Sequence, residues 1–335
     1  MPVPIVGDIG ERAVIERIRR RLPAAPAWLA VGIGDDAAVM RPARNRDEVI
    51  TTDVLVEGIH FDRAYVPPSA IGAKALAVNL SDLAAMGAQP RAALLSLILP
   101  AETTVSDLDS LVEGLLALAA RHDVTVVGGN VARSPGPLIV DVTAVGIVKP
   151  RDVLQRRGAR PGDDLFVSGA VGEARAGFLA LRKGGGAPEE LAAAGARFLT
   201  PEPRVRLGLL LARNRIPSSC MDLSDGLADG VRAVTAAGRV GAFIDAAALP
   251  IPAAVRGRLA DEGLDPVRAA IEGGEDYELL FTVPRRRRRA LAGVLARVPE
   301  VPCTRIGSIT VERRVVVRQG GLEEPLPGGY AHFTG

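Results

Sequence analysis

Val49-Ile50-Thr51-Thr52-Asp53-Val54-Leu55-Val56-Glu57-Gly58-Ile59-His60-Phe61 is rich in β-branched residues and reads as a strand. Residues 69–86 that follow are Ala-rich and helical, with Ser69 as the expected N-cap. Residues 91–99 are strand-like, 105–121 helical and 124–127 strand-like, and 138–148 alternate as a further strand. This alternation predicts an α/β chain of α+β character with mixed sheets. Lys149, Pro150, Gly158, Pro161 and Gly162 punctuate a basic stretch at 149–164, which places a domain boundary there and domains at 1–150 and 151–335. Strands are predicted at 164–168, 219–223, 241–244 and 277–283, alternating with helices, and residues 184–188 read as a surface loop. A length of 335 residues exceeds the usual size of a single core, so two domains agree with the pattern.

Nearly half the residues are apolar but only 3% are aromatic, which argues against base-stacking surfaces. The net charge of +2 is nearly balanced and points to neither nucleic acid nor membrane. The arginine run at 285–289 reads as a solvated helix face. Two cysteines, Cys220 and Cys303, make no disulfide framework and no metal pair. No apolar run approaches the roughly 20 residues of a membrane span, and the first residues break into charge, so a cytoplasmic protein is expected.

Five acidic motifs run along the chain: Gly34-Asp35-Asp36, Thr51-Thr52-Asp53, Leu80-Ser81-Asp82, Asp222-Leu223-Ser224-Asp225 and Gly273-Gly274-Glu275-Asp276. Each reads as the place where an apolar stretch gives way to a turn. Two unit charges at ~4 Å repel by about 1 kcal/mol in water and ~4 kcal/mol at an effective dielectric near 20. Carboxylates gathered at one site therefore need cations between them, and multi-metal sites most often handle phosphate. Taken singly, Asp82 or Asp225 reads as a helix cap; their number and shared placement shift the balance. Three histidines make a His-rich zinc site improbable.

Gly32-Ile33-Gly34-Asp35-Asp36-Ala37 fits a dinucleotide fingerprint superficially. Asp35 and Asp36 would oppose a pyrophosphate, and 39–42 reads as a short strand ending at Pro42 where a helix is required. That reading is rejected, and no P-loop motif exists. Gly128-Gly129-Asn130 after a short strand, and Gly169 to Gly172 before a helix, offer backbone amides to an anion. Leu80-Ser81-Asp82-Leu83 and Leu223-Ser224-Asp225-Gly226-Leu227 echo one another at what read as similar helix starts.

In combination these motifs resemble those of thiamine-monophosphate kinases. The resemblance runs through the Gly32 to Asp36 segment, Thr52 to Phe61, Val78 to Ala88, Asp222 to Leu227, Gly273 to Leu279 and Gly329-Tyr330-Ala331-His332-Phe333, in family order over almost the whole chain. It implies an N-terminal mixed-sheet domain that binds metal and ATP and dimerises, and a C-terminal α/β sandwich that completes the nucleotide and substrate site. It further implies that ATP donates its γ-phosphoryl group to thiamine monophosphate. By matching motif, Asp36, Thr51, Thr52, Asp53, Asp82, Asn130, Asp222 and Asp225 would hold several Mg²⁺ ions. Gly129, Asn130, Arg156 and Ser224 would contact ATP; His60, Glu275 and Tyr330 would line the thiamine phosphate site.

The acceptor would be a phosphate oxygen already ionised near neutrality, so no general base is needed. Alignment and charge neutralisation suffice. One departure stands out: the family usually has aspartate at Asn130, whose amide removes a full negative charge. The alternatives are a superfamily enzyme with another phosphate acceptor, or a non-catalytic binder of thiamine phosphates or nucleotide. A selenophosphate synthetase is disfavoured because the N-terminal half holds no cysteine.

Overall fold

The computed structural model describes residues 3–183 and 189–329, the side chains of 189–193 excepted. Tyr330 and the expected loop at 184–188 lie outside the described residues. The chain divides into two compact units, Met1–Leu83 with Gln89–Pro150, and Ala84–Ala88 with Arg151–Gly335.

The first unit contains α1 (Val6–Arg19), β1 (Leu29–Val31), β2 (Val39–Met40), β3 (Asp47–Val56), α2 (Pro68–Ala85), β4 (Gln89–Pro100), α3 (Val105–Arg121), β5 (Thr125–Ser134) and β6 (Ile139–Val148). Helix α3 forms where the spacing predicts it. Thr104 caps it by accepting the Asp107 amide at 3.0 Å, and Val105, Leu108, Leu111, Val112, Leu115 and Leu118 bury one stripe. Helix α2 crosses it closely, because a Cβ on Gly72 would fall 1.8 Å from the Leu111 carbonyl, and one on Gly114 1.9 Å from that of Ser69. Pro68 opens α2, as its fixed φ allows, so Ser69 lies inside the first turn and is not the cap.

Strands β3, β6, β4 and β5 form one sheet in that order, antiparallel except for the parallel β4–β5 pair. One face, with Leu55, Leu95, Leu97, Val140 and Val142, is buried. The other leaves Ile50, Val54 and Leu94 exposed, Ile50 to 66%. The β1–β2 ribbon covers a smaller cluster, Trp28, Leu29 and Met40 packing on Ala92, Val127 and Val145. Strand β3 stops at Val56, five residues short of the expected end, because Gly58 at φ +84° turns the chain and its amide bonds to the Phe61 carbonyl.

The second unit contains β7 (Asp164–Ser168), α4 (Glu173–Arg182), α5 (Glu189–Leu199), α6 (Val205–Arg213), β8 (Ser219–Asp222), α7 (Leu227–Gly238), β9 (Gly241–Asp245), α8 (Ala253–Asp261), α9 (Pro266–Glu272), β10 (Leu279–Val283), α10 (Arg288–Leu295), β11 (Cys303–Thr310), β12 (Val315–Gln319) and β13 (Leu322–Pro325). Its sheet runs β13-β12-β9-β11-β7-β10-β8, antiparallel but for β12–β9, over a core that includes Leu165, Val167, Val231, Ile244 and Leu280. The arginine run is not solvated throughout: Arg288 pairs with buried Asp164, which also receives Arg305 at 2.6 Å.

Candidate active site

On β3, residue alternation separates the three polar neighbours. Thr51 faces α2, where its hydroxyl donates to Asp82. Asp53, two residues on, shares that face. Thr52 points the other way, with its hydroxyl 3.1 Å from Asp141 and 3.0 Å from Thr143. Thr51, Asp53 and Asp82 therefore belong together, and the Thr52 side chain does not join them. Asp82 lies in the last turns of α2, because the Ala-rich helix continues past the expected cap position. The echo with Leu223 to Leu227 consequently fails, since only the latter lies between a strand and a helix.

Asp36 is exposed in the β1–β2 connection, its amide bonded to Asp35. Gly129 and Asn130 sit within β5, which runs on to Ser134, and not in a turn. They pair with Leu95 and Ser96. A Cβ at Gly129 would fall 1.8 Å from the Leu95 carbonyl, so the glycine serves a close approach between strands. His60 occupies the turn after β3, its Nδ1 accepting the Val56 amide at 3.1 Å. Beneath it, buried Lys74 reaches the His60 carbonyl at 3.5 Å.

In the second unit Asp222 ends β8 and is buried, Ser224 is half-buried, and Asp225 is exposed ahead of α7. The 273–278 segment is laced to this turn. The Glu275 amide donates to the Ser224 carbonyl at 2.6 Å, Tyr277 to Leu223 at 3.0 Å, and Leu223 back to Glu278 at 2.8 Å. Glu275 and Tyr277 both take left-handed backbone, φ +68° and +49°. Arg156 is exposed in a segment beside β8, where the Cys220 amide bonds to the Gln155 carbonyl.

Asp276 and Glu278, adjoining Glu275, are buried and structural. Asp276 accepts the amides of Gly172 (2.7 Å) and Ala174 (3.0 Å) at the start of α4. Burial nevertheless pushes its carboxyl up to about 7, against those two bonds. The Gly172 amide expected to be open to an anion is therefore already taken. Glu278 receives Arg204 Nε at 2.7 Å and the Ser168 hydroxyl at 2.5 Å. Sequence reading missed this network; its signal was the acidic density of Gly273 to Glu278. Burial raises the Cys303 thiol to about 12 and that of Cys220 still further, so neither supplies a thiolate.

Among the described residues, no group of three or more His, Cys, Asp or Glu is placed to hold a metal, and no helix is long and apolar enough to cross a membrane. The donors at Thr51, Asp53 and Asp82 are oxygens, the chemistry a hard dication requires.

Residues 34–148 match the AIR synthase related protein N-terminal domain and residues 160–320 the corresponding C-terminal domain. The chain is 37% identical to the thiamine-monophosphate kinase of Synechococcus elongatus over 98% of each chain. It belongs to the thiamine-monophosphate kinase family. The crystal structure of thiamine-monophosphate kinase from Stenotrophomonas maltophilia K279a, 39% identical, has a TM-score of 0.82 and covers 91% of this chain and 95% of that one. The structure of AaThiL complexed with AMPPCP and TMP, 32% identical, has a TM-score of 0.77 over 97% and 98%. Thiamine-monophosphate kinase membership accounts for the two α/β units and makes the chain an enzyme of the kinase class.

Proposed function

We propose that this chain transfers the γ-phosphoryl group of ATP to thiamine monophosphate, giving thiamine diphosphate and ADP, in the cytoplasm. The carrying observation is near-full-length identity to thiamine-monophosphate kinases, joined to full-length likeness to AaThiL complexed with AMPPCP and TMP. In this reading Asp36, Thr51, Thr52, Asp53, Asp82 and Asn130 in the first unit, and Asp222 and Asp225 in the second, are magnesium ligands. Thr52 would serve through its backbone carbonyl, since its hydroxyl faces away from Thr51. Gly129, Asn130, Arg156 and Ser224 bind ATP; His60, Glu275 and Tyr330 bind thiamine monophosphate.

Magnesium held there supplies neutralisation of the phosphate charges. The chain's own part is orientation. The Asp82 carboxylate is fixed by the Thr51 hydroxyl, and Ser224 and Glu275 are held in one backbone frame by the bonds between their segments. The acceptor oxygen carries no proton to remove, so no side chain must act as a base.

The same reading includes a homodimer. Asp53 and Gly129 lie in one row across the sheet but on its opposite edges, with β6 and β4 between. Three strand spacings separate them, roughly 14 Å. In the proposed dimer a second copy brings its β5 edge to the β3 edge, so that Asp53 of one copy and Gly129 of the other face one nucleotide. The exposed face with Ile50 and Val54 suits that pairing.

The test is incubation with ATP, Mg²⁺ and thiamine monophosphate over a magnesium titration, following thiamine diphosphate by chromatography. Product is expected, with Asp53→Asn and Asp82→Asn strongly impaired. Binding without product would favour a non-catalytic binder, and full rate in both variants would sink the metal-ligand roles.

A further inference from the structure

The β1–β2 ribbon is tied to its unit by a buried cation that the proposed function leaves unused. Strands of three and two residues cannot fix a ribbon by their own ladder, so its place depends on what it packs against. Ala92, Val127 and Val145 supply the apolar contact. Arg91 supplies a directed one. It is the extra residue of a bulge in β4, where Pro90 faces Gly146 and Ala92 already faces Val145. A bulge re-aims a side chain out of the sheet's alternation. From there the Arg91 guanidinium carbon lies 4.4 Å from the centre of the Trp28 ring, and Nη2 donates to the Arg41 carbonyl. Trp28 and Arg41 flank the ribbon and are themselves joined, the Arg41 amide donating to the Trp28 carbonyl at 2.7 Å. Arg91 is only 8% exposed, and its Nη1 is buried with no hydrogen-bond partner among the described residues. Burying a guanidinium so incompletely satisfied is costly, and an apolar side chain would fill the space without that cost. What the arginine adds is direction, because one planar group engages both sides of the ribbon's base.

Between the two strands runs the connection 32–38, with Asp35 and Asp36 exposed and Gly34 at φ +121°. Among the described residues nothing lies within 4 Å of where a Cβ on Gly34 would stand, so the connection takes its position from its base. We infer that Arg91 is a positioning residue, which clamps that base through Trp28 and Arg41 and so fixes where Asp36 presents its carboxylate. Asp53 and Asp82 stand on β3 and α2 and do not depend on the clamp. The inference rests on the reading that Asp36 is a magnesium ligand.

Trp28 is the only tryptophan of the chain, so its fluorescence reports the clamp directly. Arg91→Met is expected to change that emission by removing the stacked guanidinium. It should also raise the Mg²⁺ concentration at half-saturation about five- to tenfold, read by calorimetric titration of Mg²⁺ into the chain with AMPPCP and again by turnover. KM for thiamine monophosphate should stay within about twofold, a split that general loosening would not produce. Trp28→Leu removes the ring from the ribbon's side and is expected to raise the Mg²⁺ requirement in the same way, so a folding failure of one variant leaves the other; circular dichroism checks both. The double variant Arg91→Met/Asp36→Asn should match Asp36→Asn alone, because the clamp acts through that carboxylate. Unchanged Trp28 emission in Arg91→Met, an unchanged Mg²⁺ requirement in a folded clamp variant, or losses that multiply in the double variant would overturn the inference while leaving Asp36 a ligand. An unchanged Mg²⁺ requirement in Asp36→Asn would overturn the Asp36 assignment and the inference with it.

Discussion

Asp276 answers to two opposing demands. The amides of Gly172 and Ala174 favour its charge, while burial and the nearby Glu278 and Glu173 disfavour it, and burial dominates. Its carboxyl rises from an ordinary 3.8 to about 7 in the folded chain. Folding then takes up a proton between those values. The group costs no stability below about pH 4, costs progressively more up to about pH 7, and the cost is constant above. Asp276→Asn should flatten that part of the stability profile, read by urea unfolding at about pH 5 and about pH 8. A slope equal to that of the parent chain would refute the shift. The neighbouring Arg204–Glu278 pair is buried on both sides. Arg204→Met would strand the Glu278 carboxylate and should destabilise by ~3–5 kcal/mol, whereas Glu275→Gln, at a half-buried position, should change stability little. Asn130→Asp restores a charge at an exposed position of β5 and should lower the Mg²⁺ concentration for half-maximal turnover; an unchanged requirement would count against Asn130 touching a metal.

At the scale of elements, Asp82 depends on the crossing of α2 and α3. Gly114 meets the Ser69 backbone there, and a methyl group has no flexible neighbour to displace. Gly114→Ala should therefore cost at least about 1–3 kcal/mol, seen as a lowered thermal midpoint. A midpoint within a degree or two of the parent would show that the helices part without penalty. Strong local pattern made α3 and β7 legible to their ends, and β6 to within one residue. Glycine pairs misled: Gly128-Gly129 reads as a turn signal but lies in an edge strand, where the missing side chain admits the Leu95 backbone. Asp82 read as a cap because Ser-Asp favours helix starts, yet the alanines around it carry the helix through.

For the whole molecule, the open sheet face is the informative surface. Ile50→Asp places a charge at its most exposed apolar position; if the proposed homodimer forms through this face, the variant is expected to sediment as a monomer where the parent chain sediments as a dimer, with loss of turnover. A variant that stays dimeric and active would remove that face from the assembly. The α/β class, the alternation of elements and the acidic motifs follow from the sequence alone, because they rest on local propensity, two-residue and helical periods, and residue chemistry. Tertiary structure alone decided that Thr51 meets Asp82 while Thr52 turns away, that Asp276 caps α4, and that Arg91 stacks on Trp28. Those contacts join residues from 31 to 104 positions apart, and no local pattern encodes which distant backbone a carboxylate will reach.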